Sequence, residues 1–485
     1  MPTRTRSHPA SRDSPVQVAK AQVKKVAIIG GGASGAIVLD SLIKEDHVQE
    51  IVLFERRDTF GGIWVFDDKR AHNQNNNRDP DQPPLVKVGA TRAELDPPLA
   101  NPFHTNVHLN GLDDVNSTAE PVARLRLLPS AQERFEPTPA YERMKTNIIE
   151  KMMTYSDEKQ WGDAPGQQYA ERAVVQQYIS RYIGRHEHNN KLRIATITFR
   201  QRLDDGTDLW AQEDFDSLVV ATGHYHIPFI PEVPGAKDVQ NHYPKVFEHA
   251  KFFTNGQKYK DKTVVVVGSR ASGADLTKFT SDHAAHVYQS IRTIANTKKI
   301  VNSPNVHVKP VIEKFTKTPS GFDVVFADGS SVSNPDHVIY ATGYQFSYPF
   351  LEREFGDITK NGAIVPQLYQ HTFLLSDPLL SVVGVPTDAI SFRAFEFQAI
   401  LVARFLAGKV SLPSVSEQEQ WLSNRYKTHG ETRSFHTIGA QEARNYMKEL
   451  ARIGTLKPQP SWWEESFSIS SKPRWRNMLS PLLSG

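Results

Sequence analysis

The chain has 485 residues, 39% of them hydrophobic and 23% charged, with a formal net charge of +3. These values describe an ordinary globular protein of about two to four domain-sized units and give no reason to expect a nucleic-acid partner. The chain contains no cysteine, which excludes disulfides, thiolate metal sites and a dithiol relay, so any redox chemistry must pass electrons directly between cofactors and substrate.

Residues 1–20 carry Arg4, Arg6, Arg12 and three prolines without an apolar core, which argues against a secretory signal and reads as a disordered tail. A transit peptide is the alternative, weakened by Asp13 and the prolines. No later stretch approaches the roughly 18 to 20 apolar residues of a membrane span, so the expectation is a soluble, cytoplasmic protein without an integral membrane segment.

The first ordered pattern is Val26-Ala-Ile-Ile-Gly30, a short apolar run of the kind found in strands buried on both faces. It enters Gly30-Gly31-Gly32-Ala33-Ser34-Gly35, a GxGxxG turn. There Gly30 makes the tight turn, Gly32 lets backbone approach a pyrophosphate and Gly35 lets helix and strand pack closely, with Ser34 at the helix start beside the phosphates. Glu50-Ile-Val-Leu-Phe-Glu55 reads as the next strand, its Glu55 placed to bind ribose hydroxyls. In Gly61-Gly62-Ile63-Trp64, Gly62 lets backbone lie against a flat cofactor and Trp64 adds a rigid wall, or the segment is a turn followed by a core tryptophan.

Residues 66–140 are polar and rich in Asn, Asp and Pro, and read as a long surface excursion. Val174, Tyr178 and Tyr182, four apart, mark a helix between Glu171 and Ile183. Asp216-Ser-Leu-Val-Val-Ala-Thr222-Gly223 reads as a strand and is followed by a proline-rich crossing at Pro228, Pro231 and Pro234.

Val264-Val-Val-Val-Gly268 begins a second unit with the turn Gly268-Ser269-Arg270-Ala271-Ser272-Gly273. Its first and third glycines, Gly268 and Gly273, are present, and Ser272 matches Ser34. Arg270 stands where the middle glycine was expected. It either swings aside to pair with a phosphate or obstructs the nucleotide through its Cβ; retained binding is favoured. The following strand, His286 to Arg292, ends without an acid and supplies Ser290 and Arg292, a pair suited to the 2′-phosphate of NADPH rather than to NADH. Asp336-His-Val-Ile-Tyr-Ala-Thr342-Gly343 then repeats the spacing of 216–223, with Thr222 and Thr342 at equivalent places beside the nucleotides. A helix is expected around 441–453, and Trp462, Trp463 and Trp475 lie beyond it.

Over 26–414 the chain resembles the flavin-containing monooxygenases. The resemblance rests on the first turn with Glu55, on Gly61 to Trp64, on Tyr141-Glu-Arg-Met-Lys-Thr-Asn147 with Met153-Thr-Tyr-Ser-Asp157, on Ala341-Thr-Gly-Tyr344 with Tyr348-Pro-Phe-Leu351, and on Leu368-Tyr-Gln-His371. It implies FAD on the first turn and NADPH on the second. The expected fold is therefore α/β, two dinucleotide-binding Rossmann-like domains with the NADPH domain (226–334) inserted in the FAD domain (21–225 and 335–485). Asn147 matches an asparagine beside the flavin, where an amide can fix NADP and support oxygen transfer; without the resemblance it would read as a turn or cap residue. Gln398 matches a glutamine near the isoalloxazine, the alternative being an exposed helix residue. The linker signature aligns with Tyr243 to Phe253: His249 and Phe253 fit, Tyr243 and Lys245 depart. Phe253 stands where a Baeyer–Villiger enzyme would carry Trp.

The implied activity is transfer of one oxygen atom of O2 to the amine nitrogen or the thiol or thioether sulfur of a small-molecule substrate, through a flavin C4a-hydroperoxide. Competing readings are an NADPH oxidase or dehydrogenase, Baeyer–Villiger oxygenation, and a non-catalytic nucleotide-binding protein. No metal site is expected, since His186 and His188 lack matching ligands. A homodimer is compatible with the sequence.

Overall fold

A computed structural model describes residues 11–19, 22–67, 86–99, 123–128, 137–162, 169–195, 200–203, 205–292, 301–439 and 442–456. In chain order, the elements that shape the site are β1 (Lys25–Ile29), α1 (Ala33–Glu45), β2 (Glu50–Phe54), α2 (Arg172–Gly184), β3 (Leu192–Ala195) and β4 (Ser217–Val220). Then come β5 (Phe247–His249), β6 (Thr263–Val267), α3 (Ala271–Ser281), β7 (His286–Ser290), β8 (Val306–Lys309) and β9 (His337–Tyr340). The chain continues through β10 (Leu368–Tyr369), β11 (Phe373–Leu374), β12 (Leu380–Val382), α4 (Ser391–Leu406) and α5 (Ala443–Ile453).

Two sheets carry the fold. The first runs β10-β11-β12-β4-β1-β2-β3 and the second β5-β9-β6-β7-β8. All neighbours in the second sheet are parallel, as are β12, β4, β1, β2 and β3 in the first. Centred on the glycine-turn strands β1 and β6, the order is the same twice: β4-β1-β2-β3 and β9-β6-β7-β8. The repeated Asp of 216 and 336 has a repeated task. Asp216 Oδ2 accepts the N–H groups of Lys24 and Lys25 at 2.8 and 2.9 Å, and Asp336 Oδ2 accepts that of Thr263 at 2.9 Å. Each carboxylate thus registers its own Ala-Thr-Gly strand against its glycine-turn strand.

That pairing corrects the expected domain boundary at 335. His337–Tyr340 is an interior strand of the second sheet, between β5 and β6, because Gly268 needs a strand beside it just as Gly30 does. The chain leaves the second unit only after Gly343, where Tyr344 and Gln345 pair antiparallel with Pro228 and Ile227 of the outgoing crossing.

The first unit is closed by α4, which packs on α1, with α5 on its other side. In α2 the expected periodic positions Tyr178 and Tyr182 are buried. Much of the 66–140 excursion, residues 298 and 299, and Trp462, Trp463 and Trp475 fall outside the described residues. Residues 11–19 are not a disordered tail: Pro15 and Val16 pair antiparallel with Ser414 and Leu412, and Val16 and Val18 are buried in the core of the first unit. The part of the excursion at 86–99 is not a surface loop. Val86 and Val88 are buried against Ala236, Val239 and Phe247 of the second unit, Val88 N–H donates to Gln240 Oε1 at 2.9 Å, and buried Arg92 pairs with Glu352 and Asp357. Two valines in a polar stretch are too few to register as a period. No helix among the described residues is long and apolar enough to cross a membrane.

Candidate functional site

The two turns have the same local cause. Gly30 and Gly268 have φ of +111° and +126°, which L side chains rarely adopt, and a Cβ on either would meet a carbonyl of the neighbouring strand end: Ala221 O at 2.6 Å and Ala341 O at 2.5 Å. Gly35 and Gly273 serve packing, since a Cβ there would lie 1.8 and 2.4 Å from the carbonyl oxygens of Gly30 and Gly268. Gly32 and Arg270 are the N-caps of α1 and α3, with φ/ψ of −87°/−166° and −76°/−173°. Their backbones agree, and extended φ is open to any residue, so arginine at 270 leaves the turn undistorted.

Both turns open onto one cleft of about 3360 Å³. A single small-molecule site occupies about 300–1,000 Å³, so this cleft has room for two dinucleotides and a substrate. It is lined from the first unit by Gly30, Gly32, Ser34, Glu55, Gly62, Trp64, Asn147 and Thr222, and from the second by Gly268, Arg270, Ser272, Arg292 and Thr342.

The first half fits FAD. Gly32 and Gly62 face each other so closely that a Cβ on Gly62 would lie 3.1 Å from the Gly32 Cα, leaving a backbone-lined cradle with α1 pointing its N-terminus at it. Glu55 is buried. Its two oxygens accept from the N–H groups of Gly31 at 2.8 Å and Arg57 at 3.0 Å, which orients the carboxylate and leaves lone pairs for ribose hydroxyls. The Thr146 N–H donates to Ala170 O at 2.8 Å, while Thr146 Oγ accepts from Ala170 N–H at 3.0 Å. This pins buried Thr146 and leaves the next residue, Asn147, exposed at the cleft.

The second half fits a phosphorylated dinucleotide less evenly. Arg292 is exposed on the cleft, but Ser290 is not brought to it. Its hydroxyl is buried and donates to Pro310 O at 2.9 Å, because the end of β7 directs this side chain toward the chain beyond β8. Gln398 is also absent from the cleft lining. It is not exposed but fully buried in α4, one residue behind the cleft wall, since its partner Gly384 lines the cleft beside Ser34. Its amide nitrogen donates to Thr372 Oγ1 at 2.8 Å and Tyr446 OH at 3.1 Å, and its oxygen accepts from Gly384 N–H at 3.2 Å. The cleft-facing residues of α4 are instead Ser391, Phe392 and Phe395.

Sequence reasoning missed several lining groups. His224, directly after Gly223, lines the cleft, and burial depresses its imidazole to about 4, so it is neutral. Tyr141 donates its phenol to Asp275 of α3, joining the Asn147 segment to the second unit; burial nevertheless raises the Asp275 carboxyl above the usual range. Arg433 reaches the cleft from beyond α4, donating through Nη1 to Thr342 O at 2.9 Å and lying 3.5 Å from the Phe229 ring centre. No local pattern marks it.

His249 is a buried positioning group. Its Nδ1 accepts from Lys251 N–H at 3.1 Å, so its Nε2 carries the proton and donates to Gly343 O at 3.0 Å; burial holds it down to about 3. Phe253 is buried, stacked on Tyr259, and does not line the cleft. His186 serves as a partner of Asp40 at 3.0 Å.

Two Rossmann units of like topology, facing each other across one cleft, define a flavoprotein oxidoreductase fed by a nicotinamide dinucleotide. Comparison with known proteins agrees. A flavin-binding monooxygenase-like family matches 293–463 and an FAD-NAD(P)-binding family 27–82. A pyridine nucleotide-disulphide oxidoreductase family matches 211–373, although a chain without cysteine has no dithiol relay of its own. The flavin-containing monooxygenase ustF2 of Aspergillus flavus is 25% identical, covering 94% of this chain and 99% of the relative. The flavin-containing monooxygenase FMO GS-OX-like 9 of Arabidopsis thaliana is 27% identical, covering 85% and 82%. The solved S-allyl-L-cysteine S-oxygenase from Allium sativum has the same fold, with a TM-score of 0.67 at 22% identity over 93% of this chain and 94% of that one. The chain is similar to flavin-containing monooxygenases over most of its length, and it is an NADPH-dependent flavin monooxygenase using FAD.

Proposed function

We propose that the enzyme transfers one oxygen atom of O2 to a soft nucleophile, an amine nitrogen or a thiol or thioether sulfur, of a small molecule. The observation that carries this reading is the position of Asn147. It stands exposed on the cleft that both units line, and an amide there can hold a nicotinamide and stabilise a developing oxyanion. FAD, when bound, supplies the redox chemistry that passes the electrons of NADPH to O2. The chain's own residues bind and exclude water. Gly30, Gly32, Ser34 and Glu55 hold the flavin dinucleotide, and Gly62 and Trp64 wall the cradle. Gly268, Ser272, Arg270 and Arg292 take the NADPH phosphates, with Thr222 and Thr342 at the two strand ends between them. Among the groups named here, the neutral His224 and the paired Tyr141 and Asp275 offer no nucleophile, which suits a reaction in which the cofactor does the bond-making.

Support for nitrogen or sulfur as acceptor comes from the resemblance and from the S-oxygenase of like fold, together with Phe253 at the position where ketone-oxygenating relatives are expected to carry Trp. The test is product analysis after incubation with NADPH, O2 and a panel of amines and sulfides, with hydrogen peroxide measured alongside. Oxygenated amine or sulfide in proportion to NADPH consumed is the expected result. Consumption that yields only peroxide with every acceptor overturns the reading in favour of an oxidase.

A further inference from the structure

Three guanidinium groups, Arg270, Arg292 and Arg433, line the nucleotide cleft, and they come from both units. Arg433 is anchored on Thr342 O and Phe229, and its Nη2 is buried without a hydrogen-bond partner among the described residues. Burial, then Arg292 and Arg270, lower its basicity to about 10, so the three cations sense one another. Such a cluster calls for an anion. The carboxylate that faces it is Asp388, whose Oδ2 lies 3.7 Å from Arg270 Nη1. Asp388 is in the first unit, on the loop before α4, where both it and Ile390 have positive φ, +56° and +60°. The ion pair therefore bridges the cleft from the FAD side to the N-cap of α3.

We propose that Asp388 is a built-in stand-in for a nucleotide phosphate: it holds Arg270 in the free enzyme, and a phosphate of NADPH displaces it. This rests on NADPH occupying the second turn, as argued above. The exchange favours the nucleotide for three reasons. At 3.7 Å the carboxylate is beyond hydrogen-bond distance. Both side chains are largely solvated, 80% and 58% exposed, so their attraction is weak. A phosphate, by contrast, offers the guanidinium a bidentate, charge-assisted pair and at the same time meets the α3 N-terminus. Arg270 is then not a defect in the glycine turn. It is a ligand supplied where the other turn has none, on a backbone that tolerates it.

The experiment measures the dissociation constant of NADP+ on FAD-loaded enzyme by calorimetry at low salt, for wild type, Asp388→Asn, Arg270→Gln and the double variant, with flavin absorbance confirming that each is folded. Removing the competitor in Asp388→Asn is expected to tighten binding by about two- to fivefold, the range of an exposed ion pair. Arg270→Gln is expected to weaken it by about tenfold or more, the loss of one charge-assisted hydrogen bond, and to make Asp388→Asn silent. Binding that weakens or stays unchanged in Asp388→Asn overturns the proposal, as does an equal tightening with and without Arg270, which would mean a diffuse charge effect. Wild type that binds no NADP+ at all overturns the assignment of the second turn instead. Repeating the series with NAD+ tells which phosphate exchanges: a persistent Asp388 effect assigns the pyrophosphate, an effect confined to NADP+ the 2′-phosphate.

Discussion

Gly32→Ala separates cofactor binding from folding. A Cβ at Gly32 would meet the Cα of Gly62 at 3.4 Å, an ordinary contact, and its φ of −87° suits alanine. The cost to the apoprotein is that of a poorer N-cap, about 1 kcal/mol or less. In a chain of this size that moves the melting temperature by no more than about 2–4 °C. The same methyl projects into the cradle between Gly32 and Gly62, where the pyrophosphate of FAD must approach backbone N–H groups. Losing one such charge-assisted hydrogen bond costs about 1.5–3 kcal/mol, so FAD affinity should fall about ten- to hundredfold. Titrating apoprotein with FAD while following flavin fluorescence, beside a circular-dichroism melt, reads both quantities. Gly35→Ala is the control with the opposite signature, because its Cβ would sit 1.8 Å from the Gly30 carbonyl oxygen and must displace α1 from β1. Wild-type FAD affinity in a well-folded Gly32→Ala protein would refute the placement of the pyrophosphate.

Asn147→Ala should leave FAD content intact while product formation falls about a hundredfold, the scale for removing one preorganised donor, with the NADPH consumed appearing as hydrogen peroxide. An unchanged product-to-peroxide ratio would remove Asn147 from the chemistry. Arg292→Ala should raise the KM for NADPH about tenfold or more and barely alter that for NADH; steady-state kinetics with both nucleotides decides it, and equal losses would place Arg292 away from the 2′-phosphate. For pH, burial holds His249 at about 3 against an ordinary 6.5. Between those values the unfolded chain binds the extra proton, so this group costs no stability above about pH 6.5 and up to about 1.4 kcal/mol per pH unit as pH falls toward 3. His249→Gln, which retains a donor for Gly343 O, should flatten the acid limb of the melting temperature by about one proton's slope, and an unchanged limb between pH 7 and 5 would show that His249 is not buried neutral.

What was legible in the sequence is what backbone chemistry dictates locally. Glycines at 30, 35, 268 and 273 are required by φ or by a carbonyl less than 3 Å away, and the apolar runs that precede them lie where parallel strands must. Glu55 could be placed because a strand end fixes its distance from the turn. Errors arose where direction or tertiary partners decide. Ser290 occupies a strand end like Glu55, yet its hydroxyl turns to Pro310 O, a choice made by a neighbour twenty residues on. Gln398 belongs to a helix buried on nearly every side, so spacing alone could not say which face meets the cleft; Phe395, one turn earlier, does. The boundary at 335 is not set by order along the sequence, since the second Ala-Thr-Gly strand stays in its own sheet to serve Gly268. Arg433 and Asp388 carry no motif at all. They reach the cleft only because the segments before and after α4 are folded back onto the second turn.

The duplicated turns also explain where this chain is free to vary. Their first and third glycines are fixed by contact with backbone, and alteration at either place disturbs the joint between strand and helix. The middle position has extended φ in both units, so no fold requirement demands glycine there, and only the bound nucleotide limits what side chain it carries. On the FAD side Gly62 closes in from opposite, with Gly32 Cα only 3.1 Å from where its Cβ would be, and a side chain at Gly32 would compete with the flavin dinucleotide. On the NADPH side the corresponding side chain is 80% exposed, and the group facing it is the solvated carboxylate of Asp388, 3.7 Å away. The same backbone therefore accepts arginine in one turn and needs glycine in the other. The expected consequence is asymmetric: Arg270→Gly changes nucleotide affinity and leaves FAD bound, whereas Gly32→Arg abolishes FAD binding. Parallel measurement of flavin content and NADP+ affinity in these two variants tests whether the middle position answers to the ligand or to the fold.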